Sequence, residues 1–342
     1  LGTSLGGDPV TIIELFTDAP RGLAVSDDGN TVYAAGFMTG NQTTVIDEGS
    51  VRNAGGAPPP NANEDGIPAP DTGLIVKFDG NNWVDEVGTV WDDQVNFTLP
   101  DLDVFAIDAS LPVPVQFDTF SGVGTTLFNM VTSPDGRLFV SNTEARNHVR
   151  FEGEGLLGTT VRGNTAENRV TIIDGNTVTP YQLNEHIDFD LPFGEQVSAE
   201  DKQQAIAQPG AMAYIDGELW VLPFGSSKVQ VYGDPDAGAE HPWFTWPWAG
   251  FIGLQLPDGG PAGIAVQDYR DRAWVYTRNG HQLSVISTTE KFVINTIDLF
   301  NPEPASVTEG RRFLYDAQLT SGNGTGSCAS CHIFGDLDGL AW

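Results

Sequence analysis

Short stretches of alternating apolar and polar residues, separated by tight-turn residues, recur along most of the chain. Four of them share one order: a small or Pro/Gly start, an alternating strand, a polar turn, and a second strand with an aromatic residue near its centre. These four stretches span residues 19–37, 125–143, 208–224 and 260–279. Because side chains alternate between the two faces of a strand, this pattern predicts antiparallel β-hairpins.

Turn residues support the same prediction. Asp28-Gly29, Asp135-Gly136 and Asp216-Gly217 separate the alternating runs of the first three stretches, and Asp-Gly is a strong signal for a hairpin turn. In the fourth stretch the turn position is taken by residues 270–272. Strands expected to complete the modules lie at residues 43–47, 168–183, 228–234 and 282–288, and another alternating stretch with a turn at Asp79-Gly80 spans 73–88.

Successive strands and turns with a period near 40 residues are typical of the blades of a β-propeller. The repeats resemble those of bacterial propellers with a YVTN-type repeat, and the resemblance covers most of residues 10–300. About 300 residues at about 43 per blade favour seven blades over six or eight. The sequence therefore predicts an all-β propeller.

Three segments interrupt the repeats. Residues 49–73 are rich in Pro, Gly and Asn, which predicts a long surface loop. A second insertion spans residues 150–167. A third, residues 184–207, contains the sequence SAEDKQQAIA, which predicts a short helix. Insertions of this kind commonly carry binding functions.

The end of the chain contains a C-x-x-C-H box with the only two cysteines, Cys328 and Cys331, followed by His332. In a c-type haem site the two thiols add across the haem vinyl groups and the histidine coordinates the iron. Half a zinc site and a thioredoxin-like dithiol are the alternatives. Zinc would need further ligands that no second cysteine pair supplies, and a dithiol does not need the histidine. We therefore expect one covalent haem c on Cys328 and Cys331, with His332 as the proximal iron ligand.

The residues before the box predict a helix. Ser306 and Glu309 have the spacing of a capping box, and an apolar side follows at Val307, Phe313 and Leu314. The alternative is a further blade hairpin with its turn at Glu309-Gly310. The shortage of alternation favours the helix.

The same region resembles the first haem domain of bacterial di-haem cytochrome c peroxidases. In that family a helix with G-R-x-L-F-x-D leads through L-S/T into the haem box. Here the equivalent positions are held by Gly310, Arg311, Phe313, Tyr315, Asp316, Leu319 and Thr320. We expect a propeller over residues 1–303 and the start of a haem-binding segment over 304–342, apparently incomplete. With a single box in the sequence, the family's peroxide chemistry would require more chain or another subunit.

Charge and hydropathy limit the partners. The chain has 46 acidic and 16 basic residues, for a formal charge of −30. This field repels nucleic acid and favours basic partners or divalent cations. No apolar run approaches the about 20 residues that span a bilayer.

Covalent haem attachment occurs outside the cytoplasm, and the chain begins at Leu1 without a leader. We therefore expect a periplasmic or extracellular protein whose signal peptide has been removed.

The sequence does not identify the second axial ligand of the haem iron or any further bound cation. The candidates for the sixth iron ligand are Met38, Met130, Met212, His148, His186, His241 and His281. His241 begins an aromatic run, residues 241–251, that would serve as a haem-docking platform or as a loop closing over a blade. The acidic stretches 335–339 and 101–108 are candidates for calcium binding, although both are shorter than a calcium loop of the EF-hand type.

Three functions fit these features. The leading hypothesis is an exported electron-transfer protein whose propeller docks a basic redox partner, or another copy that completes the haem site. The second is a peroxidase-like haem enzyme whose catalytic domain continues beyond this chain. The third is a non-catalytic propeller with a binding or structural role. The fold itself is compatible with all three.

Overall fold

The chain folds almost entirely into antiparallel β-sheet in the computed structural model, which describes residues 9, 11–59, 61–62, 65–150, 163–191, 195–233, 252–257 and 259–342. Four sheets have four strands each and a fifth has three. The expected all-β propeller class, with a small helical C-terminal part, is confirmed.

The strands are numbered in chain order. They are β1 (Gly22–Val25), β2 (Thr31–Ala35), β3 (Thr43–Ile46), β4 (Leu74–Phe78), β5 (Trp83–Val84), β6 (Val104–Asp108), β7 (Val115–Phe120), β8 (Thr126–Thr132), β9 (Leu138–Ala145), β10 (Ala166–Asp174), β11 (Thr177–Gln182), β12 (Pro209–Ile215), β13 (Glu218–Pro223), β14 (Lys228–Gly233), β15 (Ile252–Gln255), β16 (Pro261–Gln267), β17 (Arg272–Thr277), β18 (Gln282–Ile286) and β19 (Val293–Asp298). The helices are α1 (Glu48–Asn53), α2 (Ala199–Gln204), α3 (Ala305–Tyr315) and α4 (Ala317–Thr320).

The four-stranded sheets are the blades. Blade 1 is β1-β2-β6-β7, blade 2 is β8-β9-β10-β11, blade 3 is β12-β13-β14-β15 and blade 4 is β16-β17-β18-β19. Their first strands, β1, β8, β12 and β16, lie side by side in that order. The three predicted Asp-Gly turns join the first two strands of blades 1 to 3. At Asp216-Gly217 both central residues have positive φ, 49° and 82°, as a two-residue hairpin turn requires.

One strand assignment from the sequence is wrong. Residues 43–47 were expected to complete the first blade, but β3 pairs with β4 in the three-stranded sheet, whereas β2 pairs with β6. Residues 36–103 are therefore an insertion within blade 1. It has its own small core and contains α1 in the segment predicted as a surface loop. Strand alternation predicts a strand but does not specify a partner about 70 residues away.

The described residues form four blades, where the chain length favoured seven. Much of the chain between the repeats belongs to insertions, chiefly residues 36–103 and 183–208, rather than to further blades. The average blade length used for the count assumes that loops are short, which is not the case here.

Apolar residues on both faces of each blade produce the core. In β13, Leu219 and Val221 lie in the cluster between blades 2 and 3, whereas Trp220 and Leu222 lie in the cluster between blades 3 and 4. All four are essentially inaccessible to solvent. This explains why Leu219–Leu222 is continuously apolar, because a strand buried on both faces has no polar side.

The predicted helices are present, with one corrected terminus. α2 begins after Ser198, whose hydroxyl accepts a hydrogen bond from the Asp201 amide, at 3.0 Å. α3 excludes the alternative of a fifth hairpin turning at Glu309-Gly310. Its first residue follows Pro304, so Ser306 lies inside the helix and the predicted capping box does not form. Among the residues that the structure describes, no helix is long and apolar enough to cross a membrane.

Candidate functional site

The C-x-x-C-H box forms one tight turn. Residues 328–330 are a single 3-10 turn, and the carbonyl of Cys328 accepts hydrogen bonds from the amides of Cys331 and His332. The Ser330 hydroxyl accepts a hydrogen bond from the Ser327 amide at 3.0 Å. These contacts hold both cysteines and the histidine on a single turn, as their spacing predicts.

The turn has a buried side and an exposed side. Ala329 and Ile333 are buried against the rest of the protein, at 0% and 2% exposure. Cys328 and His332 are exposed, and Cys331 is half-buried. The thiols and the imidazole therefore remain accessible to a large planar group, while the backbone is fixed from behind.

Amide side chains of the propeller hold this segment in place. The Asn168 side chain donates to the Thr325 carbonyl at 2.8 Å, and that of Gln208 donates to the Ala329 carbonyl inside the box. Near the end of the chain, the Asn147 side chain donates to the Ala341 carbonyl at 2.8 Å. All three amide residues are buried, so these hydrogen bonds are protected from competition with water.

The main chain also approaches the propeller closely before the box. The Ala317 amide donates to the Gly225 carbonyl at 2.9 Å, and the Gln318 side chain donates to the Lys202 carbonyl at 2.7 Å. Gly324 has φ of 79°, and a Cβ there would lie 2.8 Å from the Lys202 carbonyl oxygen. Glycine at 324 is thus required for both conformation and space.

Aromatic stacking anchors the other side of the box. The Phe334 ring stacks on the Phe37 ring of the propeller, with centroids 5.6 Å apart and planes 14° from parallel. Phe334 has φ of 53°, which is unfavourable for a bulky residue. The stack provides one interaction that offsets this strain.

The environment of Cys331 does not favour a reactive dithiol. Burial raises the pKa of the Cys331 thiol to about 11, and the negative charge of Asp338 adds to the effect. Catalytic and redox-active thiols normally have a lowered pKa, because the thiolate is the reactive form. The Asp338 carboxylate is itself held by the Trp342 indole N–H, at 3.0 Å.

These residues fit a covalently attached haem c. The group needs two accessible thiols and one accessible imidazole on a single turn. It also needs apolar surroundings, and the segments on either side of the turn carry exposed Phe313, Leu319 and Leu337. α3, with Phe313, packs directly beside the turn. No group of three or more His, Cys, Asp or Glu suited to a metal ion occurs within the described ranges.

The methionine candidates for the sixth iron ligand are mostly core residues. Met130 is buried between blades 1 and 2, and Met212 between blades 2 and 3. Met38 is half-buried and forms isolated strand bridges with Asp18 and Thr126. Met130 and Met212 therefore serve packing in this structure.

The histidine candidates occupy separate environments. The Nε2 atom of His281 lies 2.9 Å from a Glu303 carboxylate oxygen, and that of His186 lies 3.1 Å from the Asp201 carbonyl. Burial lowers the pKa of His148 to about 4, so this imidazole is neutral at physiological pH. His241 and the whole aromatic run 241–251 lie outside the described residues.

An ion cluster joins blade 4 to α3. The Glu303 carboxylate accepts hydrogen bonds from Arg278 at 2.9 and 3.1 Å and from Arg311 at 2.7 Å. These hydrogen bonds hold the pKa of Glu303 well below its usual range, with Arg278 as the largest cause and Arg311 next. Arg311 is part of the sequence that resembles the haem domain, so the resemblance motif here also contacts the propeller.

The two acidic stretches weighed for calcium have different environments. In 335–339, Asp338 is committed to Trp342. In 101–108, the amides of Gly122 and Val123 donate to Asp101 and Asp103 at 2.8 and 2.7 Å. The pKa of Asp103 is raised to about 8, first by burial and then by the negative charge of Asp101. Calcium binding remains a prediction for both stretches.

The raised pKa of Asp103 predicts a pH-dependent stability. The unfolded state releases this proton near pH 4, whereas the folded state keeps it until about pH 8. The free energy of unfolding should therefore fall as the pH rises from 4 to 8. Asp103→Asn cannot ionise, so it should stabilise the protein at pH 8 by at least about 1 kcal/mol and much less at pH 4.

Thermal or urea unfolding at both pH values measures this effect. Asp174→Asn, the same change at an exposed position, is the control and should change neither value. An Asp103→Asn variant that is equally or less stable than the wild type at pH 8 would disprove a proton held by this carboxyl.

No protein-family model matches the chain, and no curated protein matches it either. Similar solved structures include the periplasmic gluconolactonase of Pseudomonas aeruginosa, at 15% identity and a TM-score of 0.42 over 87% of this chain and 62% of that one. Hydrazine synthase of Kuenenia stuttgartiensis matches at 17% identity and a TM-score of 0.41, over 79% of this chain and 71% of that one. The chain thus spans about three fifths of the gluconolactonase structure. The assignment to the β-propeller class rests on the chain's own sheets.

The C-x-x-C-H box is evident from the sequence, whereas the residues that hold it are not. Asn168 and Gln208 contact carbonyls that lie 157 and 121 residues further along the chain. The sequence offered a weak local signal for Gln208 alone, which directly precedes the apolar strand β12; a buried amide indicates a polar contact but not its partner.

Proposed function

We propose that this chain is an exported c-type haem protein that transfers electrons through a haem on Cys328, Cys331 and His332. The observation that carries the proposal is the orientation of the box. On one turn Cys328 and His332 are exposed and Cys331 is half-buried, and buried hydrogen bonds fix the backbone of this segment to the propeller.

The bound haem would supply a one-electron redox centre. The chain's own residues would attach it, hold its proximal side and set its distance from the propeller surface. Asn168 and Gln208 keep the turn rigid, which limits reorganisation when the charge of the centre changes. Export to the periplasm or the cell exterior follows from the chemistry of covalent haem attachment.

The propeller would act as the docking surface for a basic redox partner. With a formal charge of −30, the protein attracts a cationic partner at long range, and this steering weakens as salt shortens the Debye length.

Electron transfer to a charged partner measured against salt is the test. The haem-loaded protein, reduced beforehand, is mixed with a basic c-type cytochrome between about 0.01 and 0.15 M ionic strength, where the Debye length falls from about 30 to 8 Å. We expect the second-order rate constant to fall tenfold or more. A neutral small oxidant is the control and should show little change. A rate that is independent of salt, or faster with an acidic protein partner, would contradict the proposal.

A further inference from the structure

An arginine that pairs with no carboxylate of the described residues lies beside the box. Arg21 directly precedes β1, and its guanidinium carbon lies 4.2 Å from the centroid of the Phe37 ring and 5.6 Å from that of Phe334. It forms no ion pair with any residue in the described part of the chain. Carboxylates outnumber cationic side chains almost threefold in this protein. An arginine that stacks on aromatic rings instead of pairing with a carboxylate is therefore unusual here.

Arg21 lies close to the residues expected to bind the haem. Phe334 follows His332 by two residues, so their Cα atoms are at most about 7.6 Å apart. Arg21, Phe37, Ile333 and Phe334 also line one cavity of about 220 Å³ between the C-terminal segment and the first strands of the blades. The guanidinium therefore faces the space next to the box.

The chemistry of the expected group provides a partner. Haem c carries two propionate carboxylates on the edge of the macrocycle that is not used for thioether attachment. In a field of −30 these carboxylates would be repelled by most of the protein surface. A guanidinium binds a carboxylate through two parallel hydrogen bonds, and stacking on two rings holds the fork in place before binding.

We propose that Arg21 is the residue that binds a haem propionate, and so ties the haem edge to the propeller. This inference rests on the proposed function, because it requires the haem. Arg21 then acts as a positioning and tuning residue. Its positive charge stabilises the reduced state, which carries one more negative charge, and so raises the reduction potential.

The test compares reduction potentials of haem-loaded variants. Arg21→Met removes the charge and keeps an apolar chain against Phe37, Arg21→Gln is a second neutral variant, and Arg21→Lys keeps the charge without the fork. Arg52→Met is the matched control, because Arg52 is an exposed arginine of α1 that pairs with Glu48 and Asp71. We expect lower potentials for Arg21→Met and Arg21→Gln than for the wild type, a value close to the wild type for Arg21→Lys, and no shift for Arg52→Met.

A second readout separates propionate binding from a general charge effect. Losing the guanidinium raises the propionate pKa, so the pH at which the potential changes should move upward in Arg21→Met and Arg21→Gln, but not in Arg52→Met. Potentials and pH profiles of Arg21→Met and Arg21→Gln that equal those of Arg52→Met would overturn the assignment while leaving the haem site intact. If the wild type carries no haem, the proposed function fails and this inference fails with it.

Discussion

Replacing Cys328 and Cys331 together with alanine should abolish covalent haem attachment and leave the fold in place. Each thiol forms one thioether, so the double variant has no covalent link to the macrocycle, and His332 alone is a weak anchor. Cys328 is exposed and Cys331 is half-buried, so two alanines there remove little packing. The buried contacts of the turn come instead from Ala329, Ser330 and Ile333.

Intact mass of protein made in a host with a cytochrome c maturation system measures this change. The wild type should carry the mass of one haem, and the double variant only that of the polypeptide. Circular dichroism should show the same β-sheet content in both. Ser327→Ala, adjacent to the box, is the control and should keep the haem. Haem retained by the double variant would show that attachment occurs elsewhere.

Glu303→Gln should loosen the C-terminal segment from blade 4 without unfolding the blades. The carboxylate neutralises both Arg278 and Arg311. Without it, two guanidiniums remain close together with no anion between them, and one of them belongs to α3. α3 has no buried residues of its own, so its position depends strongly on contacts of this kind.

Hydrogen exchange followed by mass spectrometry locates the effect. We expect faster exchange in α3 and residues 317–335 of the variant, and unchanged exchange in β8, β9 and β13. Glu309→Gln is the matched control, because Glu309 is an exposed glutamate on the same helix. Equal exchange in the two variants would mean that the ion cluster does not hold the segment.

Local patterns were sufficient for the hairpins and for the box. Asp216-Gly217 predicted its turn because the required backbone conformation is itself local. Cys328, Cys331 and His332 are adjacent in sequence, so their proximity needs no tertiary structure. α3 was also predictable from the sequence, although its start was not. The helix begins at Ala305, directly after Pro304, so Ser306 lies inside it and does not cap it.

Long-range pairing was not available from the sequence. β3 has the alternation of a blade strand, and only the choice of β4 as its partner places it in a separate sheet. The described residues form four blades, and the count from chain length did not separate insertions such as residues 36–103 from repeats. Arg21 was also missed, because its role depends on Phe334, more than 300 residues away. Contacts of that kind follow from how the blades are arranged.

We propose that this chain carries a covalent haem c on its C-terminal box. The most direct measurement is the pyridine haemochrome spectrum of the wild-type protein after acid–acetone extraction, which removes any haem that is not covalently bound. We expect the reduced α-band of a haem with two thioether bonds, at one haem per chain. A protein that loses all of its haem on extraction, or never contained any, would contradict the claim and leave a propeller whose terminal cysteines serve another purpose.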